Sequence, residues 1–431
     1  MLNIQSLRQR FHFIRGNYLV ITLTRILGMF SRSMVFPYAS LFILALDGDP
    51  TQIGLVNALK PLAGLLMFPI AGYLTDHVGR VKLIAAGGYL SGAVVLMFVL
   101  APNWQVVALA SMIQGFMVLS FPPESALIAD SLSPEDRGTG LATMNTATGV
   151  LAVFAPLAAG TIIDAAGEEF GIRVLYAVMV VLYLASAAIN HRFLKETSVS
   201  QNKIDWAALP KAFANAYGDV FGLLRQLPRA LRVHAAIVIL GFTCNALASA
   251  FWVGYAKQEI GLSATEWGSI LFVESLLRTL LCIPAGMAID RYGRARFILA
   301  SLVLSLITMP AFVFSSTYVH VLLIRIVMGV ANAFFAPASM AFMADAIPRK
   351  LRGRVMAAIG RGFVQLGPAS GGTGGPGTGF LTTLPMMLGS IAGGYLYRYN
   401  TALPWVFVTV ATAVSLVLAA LYMRDPERAH A

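Results

Sequence analysis

The sequence predicts an all-α integral membrane protein: twelve transmembrane helices in two pseudo-symmetric six-helix bundles. Three observations carry that prediction. Of 431 residues, 58% are hydrophobic and 12% charged, and the mean hydropathy is +0.74. Twelve apolar runs are long enough to cross a bilayer, and loop motifs recur half a chain length apart. A soluble domain carries about 25% charged residues. Half that fraction cannot clothe one or two soluble domains of this length in a solvated surface. The same composition excludes a disordered chain, a coiled coil and a disulfide scaffold.

A helix crosses about 30 Å of hydrocarbon with about 20 residues. Runs of that order lie near 17–46, 52–74, 83–101, 105–129, 139–162 and 172–191, then near 234–256, 264–289, 297–316, 318–344, 379–398 and 404–423. The first follows Arg8, Arg10 and Arg15 like a signal peptide. It contains Arg25 and Arg32 and ends in Asp47-Gly48-Asp49 without a small-residue cleavage pattern, so it reads as span 1. Residues 1–191 form the expected N-terminal bundle and 234–431 the C-terminal one. Residues 192–233 read as a linker with an amphipathic, membrane-surface portion around Trp206, Phe213, Tyr217, Phe221 and Leu224. The Gly-rich stretch 367–379 is too permissive to face lipid and reads as a flexible loop between spans 10 and 11.

Lysine and arginine orient the spans. The face carrying both termini holds 23 of them in its tails and loops, the opposite face only Arg173, Lys257 and Arg398. The first face is therefore expected in the cytoplasm, in a multi-pass protein of a prokaryotic cytoplasmic membrane. The net charge of +11 is then topological and lipid-facing rather than a nucleic-acid footprint. Cys244 and Cys282 lie in apolar runs and read as small hydrophobes. No histidine pair has metal-ligand spacing and no phosphate-binding Gly-Lys-Ser/Thr loop is present, so no metal, cofactor or ATP drive is expected.

The chain repeats itself. Gly72-Tyr-Leu-Thr-Asp76-His-Val-Gly79-Arg80 after span 2 matches Gly286-Met-Ala-Ile-Asp290-Arg-Tyr-Gly293-Arg294 after span 8, 214 residues on. Asp130 and Arg137-Gly138 match Asp345 and Arg352-Gly353 at 215. An even six-span repeat sets both halves the same way up about an axis along the membrane normal. A substrate site belongs at their interface. Gly72 and Gly286 read as points of close helix approach, Gly79 and Gly293 as tight turns.

The two G-x-x-x-D-x-x-G-R copies within twelve spans resemble the major facilitator superfamily, in its drug- and metabolite-efflux-like branch; the likeness covers essentially the whole chain. It implies that Gly72, Asp76, Gly79, Arg80, Asp130 and Arg137, with Gly286, Asp290, Gly293, Arg294, Asp345 and Arg352, form a conformational latch holding an outward-facing state. His77 stands where the family usually has Arg. Solvated rim charges worth about 0–1 kcal/mol each are the alternative.

Ionisable residues inside spans usually face a cavity or a partner. Arg32 lies near the middle of span 1, and Lys60 about nine residues into span 2, about 13 Å deep. Glu274 is the repeat-mate of Lys60. It either neutralises Arg278 at i, i+4 or faces Arg32 across the cavity, as the superfamily arrangement implies. Glu274 is the leading candidate for proton coupling or for binding a cationic group. Arg32, Lys60, Glu124, Trp252, Glu274 and Arg278 are the candidates for contact with substrate or protons; Glu124, nearer the rim, caps the latch as its alternative, and Arg25 and Arg325 are expected to snorkel from helix ends. Trp252, near the outer end of span 7, is either packing or a gate.

The family's antiporters often carry R-x-x-x-G in span 4. Here span 4 has Ser111 to Gly115 and the Arg appears only in span 10, Arg325 to Gly329. The expected function is alternating-access transport of a small solute by a monomer among membrane lipids, as proton-coupled efflux of a drug-like or amphipathic metabolite. A proton-coupled symporter or facilitator for uptake is the nearest alternative, and a non-transporting, transporter-like sensor is one of another class.

Overall fold

Among the described residues the regular elements of this computed structural model are helices; it describes residues 12–197, 210, 225, 227–347, 355, 358–360, 362 and 379–425. Twelve lie where the apolar runs predict them. The first six are α1 (Gly16–Ala45), α2 (Pro50–His77), α3 (Arg80–Val99), α4 (Trp104–Asp130), α5 (Arg137–Ala166) and α6 (Glu168–Phe193). The second six are α7 (Arg229–Gln258), α8 (Ala264–Tyr292), α9 (Arg294–Val313), α10 (Tyr318–Ala346), α11 (Phe380–Tyr399) and α12 (Leu403–Tyr422). Ten of these are long and apolar enough to cross a membrane, and α2 is an eleventh, bent by 41° between Met67 and Pro69. The twelfth, α11, is of spanning length but carries Thr382, Thr383, Ser390 and three glycines. Several helices begin up to five residues before their apolar run, because backbone pairing continues through the charged interfacial turn where hydrophobicity stops. The linker is shorter than expected: Arg192 and Phe193 end α6 and 229–233 begin α7, and most of what remains lies outside the described residues.

The helix ends follow the sequence. Asp49 with Gln52 and Ser263 with Glu266 form capping boxes at α2 and α8. Asn103 and Thr317 cap α4 and α10. A 3₁₀ turn interrupts α1 at Phe36–Tyr38, around Pro37, and another interrupts α4 at Phe116–Ser120, just before Pro122 and Pro123. Proline removes an N–H and crowds the preceding turn, so the ladder breaks there.

The two sets of six pack alike. In the first, α1 lies on α5 and α6, α2 on α4, and α3 on α6; in the second, α7 lies on α11 and α12, α8 on α10, and α9 on α12. The halves meet through α2 against α11 and α5 against α8, which exchange under the same symmetry. At the α5–α8 crossing a Cβ on Gly160 would strike the Ala264 carbonyl, and one on Gly268 the Pro156 carbonyl, so the backbones touch.

The buried apolar core shows how the halves are tilted. At the face opposite the termini, the far face, one cluster runs from Val35, Phe42 and Tyr176 through Trp267 to Phe312 and Trp405, across both halves. Towards the termini face the core divides. One cluster there belongs to the first half, around Tyr18, Leu127 and Met144, and two to the second, around Leu231 and around Ile298 and Phe342.

Candidate functional site

Polar contacts tie the halves together at the far face. Asp164 of α5 accepts hydrogen bonds from the backbone N–H groups of Ala264 (3.0 Å) and Thr265 (2.7 Å), which open α8. The Tyr38 hydroxyl, fully buried, reaches the carbonyls of Pro156 (2.8 Å) and Ala264 (3.0 Å). Lys257 pairs with Glu168, and Arg398 lies 3.1 Å from Asp49. The sequence sets Lys257 and Arg398 on this face but does not give these pairings, because each group looks like an ordinary loop or helix-end residue until the halves are placed.

A cavity of about 510 Å³ opens below this seal and runs from mid-depth towards the termini face. Its walls come from all six helices of the first half, α1 to α6, with Thr383 and Met386 of α11. Both 3₁₀ turns contribute, through Phe36, Met117, Val118 and Ser120; irregular backbone at membrane depth is tolerated where it lines a cavity. Four charged side chains line it: Arg25, Arg32, Lys60 and Glu124. Glu124 lies 3.3 Å from the Arg25 guanidinium and also attracts Arg32. Arg32 donates through Nε to the Tyr183 hydroxyl at 2.8 Å. Lys60 Nζ sits 4.7 Å above the Phe36 ring centre, and its charge and that of Arg32 repel one another.

The structure decides four expectations here. Of its two expected places Glu124 takes the cavity wall rather than the latch cap, in the first turn of the helix that follows the Phe116–Ser120 turn and carries Pro122 and Pro123. Arg25 lines the same wall rather than snorkelling. Glu274 faces neither Arg32 nor Arg278: it is buried and ion-paired with Arg325 of α10, itself buried rather than snorkelling. Gly329, one turn on from Arg325, packs against the Glu274 side chain. Arg325 also stacks 5.2 Å over Trp252. Trp252 in turn is buried against Phe312 and Trp405, with centroids 4.3 and 5.7 Å away, an aromatic packing cluster away from the cavity's lining. Arg278 is half-buried with no ion pair among the described residues.

At the termini face Arg80 pairs with Asp130, and Arg294 with Asp345, the same bridge in each half. A second acid joins each. Glu196 accepts from the N–H of Val81 at 3.0 Å, and Asp425 from those of Arg294 (2.7 Å) and Ala295 (2.9 Å), capping α3 and α9. These two acids lie just past α6 and α12, outside the repeat motif, and were not anticipated. Asp290 and Arg137 are exposed and form no ion pair among the described residues. Gly293 adopts φ +92°, the left-handed turn that needs glycine, whereas Gly79 has φ −53°. Gly286 has open space where a Cβ would sit, so no close approach requires it. The side chain of Asp76, residue Gly72 beyond its place in α2, and Arg352 lie outside what is described. Cys244 and Cys282 are free thiols.

The sequence model of the Major Facilitator Superfamily matches residues 21–253 and 233–431. The chain is 21% identical over 430 residues to the uncharacterized MFS-type transporter MJ1317 of Methanocaldococcus jannaschii, covering 96% of this chain and 97% of that protein. It is 22% identical over 398 residues to multidrug resistance protein MdtG of Yersinia enterocolitica, covering 90% and 88%. Among solved structures, nucleoside transporter NupG superposes with TM-score 0.68 at 16% identity, over 94% of this chain and 98% of that one. A bacterial homologue of the lysosomal transporter Spinster, inward-facing and unoccupied, superposes with TM-score 0.67 at 13% identity, over 98% and 99%.

Proposed function

The chain belongs to the major facilitator superfamily, and on that premise we propose that it exports an amphipathic small molecule across the cytoplasmic membrane in exchange for protons. Residues 1–191 rock against 234–431, with both termini in the cytoplasm. The observation that carries this reading is the cavity of about 510 Å³ beneath a far face sealed by contacts between halves. A volume of that order suits a drug-sized solute. Likeness to MdtG, named for multidrug resistance, supports efflux; the basic termini face supports the orientation. Asp76, Asp290 and the Arg80–Asp130 and Arg294–Asp345 pairs act as the latch whose rearrangement accompanies opening of the far face.

The cavity-facing carboxylate Glu124 suits proton coupling better than Glu274, because only a group that meets solvent and solute in turn exchanges its proton with them. Purified protein in proteoliposomes, loaded with a panel of amphipathic compounds, tests the proposal. Flux should follow an imposed pH gradient and reverse with it. Flux that ignores the gradient leaves a facilitator; no flux of any compound favours the sensor reading.

A further inference from the structure

The cavity charges point to a class of solute. Of the four charged groups lining it, Arg25 and Glu124 pair with each other. Arg32 and Lys60 remain, and no carboxylate pairs with either among the described residues. Arg32 spends Nε on the neutral hydroxyl of Tyr183, which leaves its two terminal nitrogens free to donate. Among the described residues Lys60 has the face of Phe36 beneath it, a cation–π contact that satisfies none of its three N–H donors. Its repeat-mate in the other half is the acid Glu274, turned away and sealed against Arg325. Positive charge at mid-membrane depth is costly to hold without a counter-ion. The rest of the wall is apolar or neutral: Met29, Phe36, Met117, Phe121 and Met386 alternate with Gln114 and Asn190.

We propose that Arg32 and Lys60 form the binding site for the anionic group of an amphipathic organic anion, whose apolar body lies against Phe36, Met117, Phe121 and Met386. A carboxylate, sulfonate or phosphate bridges the two cations, accepting from Lys60 Nζ and from the terminal nitrogens of Arg32. The bound anion relieves the repulsion between them and lowers the cavity's excess of positive charge. This inference rests on the transporter reading for its consequence, but the site itself is a statement about binding.

Equilibrium binding to the full chain in phosphatidylcholine nanodiscs tests it, with two probes that share the naphthalene ring system and carry opposite charge: 2-naphthalenesulfonate and 2-naphthylmethylammonium. The sulfonate should bind and the ammonium should not compete with it. Lys60→Met should weaken sulfonate binding by roughly tenfold to a hundredfold, the value of a charge-assisted hydrogen bond. Lys60→Arg, which keeps the charge, should retain the preference and so separates loss of charge from loss of fold. Equal binding of both probes, binding of neither, or sulfonate binding unchanged in Lys60→Met overturns the proposal. Displacement of the sulfonate by phosphatidylglycerol added to the nanodiscs assigns the cations to a lipid headgroup and overturns the solute. Lys60-dependent sulfonate binding without flux in proteoliposomes would remove the transport reading and leave the site. Driven export of cations alone would do the reverse.

Discussion

Asp164 caps a helix that belongs to the other half of the molecule: its carboxylate, near the end of α5, accepts the backbone N–H of Thr265 in the first turn of α8 at 2.7 Å. That turn already has its own cap in Ser263 and Glu266. Asp164 adds negative charge at the positive end of the helix dipole, but only while the far face is shut. The interaction therefore biases the closed far face rather than the fold of either half.

Asp164→Asn should shift the molecule towards an open far face. The loss of a capping carboxylate is worth about 0.5–2 kcal/mol, or roughly twofold to thirtyfold in population. Spin labels at Phe170 and Val319, both exposed at far-face helix starts of opposite halves, should report a growing long-distance component. An unchanged distance distribution removes the cap from the gate.

Asp49 gives the far face a dependence on acid. Burial alone would raise its pKa, but hydrogen bonds from the Thr51 hydroxyl and the Gln52 N–H, with the Arg398 guanidinium, hold it below the ordinary 3.8. A depressed folded-state pKa contributes stability that is present above the ordinary value and is lost as pH falls through the lowered one. Thermal unfolding of Asp49→Asn should therefore trail the wild type at neutral pH, and the two should converge in strong acid. A gap that widens in acid contradicts this assignment.

Glu274→Gln should destabilise the second half by about 3–5 kcal/mol, because it leaves the Arg325 guanidinium buried without a counter-charge. Adding Arg325→Gln should restore most of the stability, whereas adding Arg278→Gln should not. Denaturation midpoints of the three variants decide it. Rescue by Arg278→Gln would reinstate the i, i+4 pair.

Glu124→Gln should abolish flux driven by a pH gradient and leave exchange of solute across the membrane largely intact, since the volume of the cavity is kept and only its titratable acid is lost. Driven and exchange flux measured in the same vesicles separate the two. Full driven flux in this variant would move coupling to the substrate or to Glu274.

The spans, the repeat and the matching rim charges were legible in the sequence, because each is written locally. Apolar length fixes a crossing, and Asp130 and Asp345 each stand 50 or 51 residues beyond Arg80 and Arg294, in matching loops. The partners of the intramembrane charges were not legible. The helices are apolar around most of their girth, so hydrophobic pattern does not say which face of α8 turns towards the cavity. Glu274 and Arg278 share a helix and suggest each other by spacing. The packing of α8 on α10 instead brings in Arg325, 51 residues away in sequence, across the space that Gly329 leaves open. Only the tertiary structure could make Lys60 and Glu274, equivalent in the repeat, differ in kind. One faces a cavity with no carboxylate paired to it among the described residues, and the other is neutralised in a core, because sequence sets a residue's depth in the membrane and packing sets the rotation of the helix that carries it.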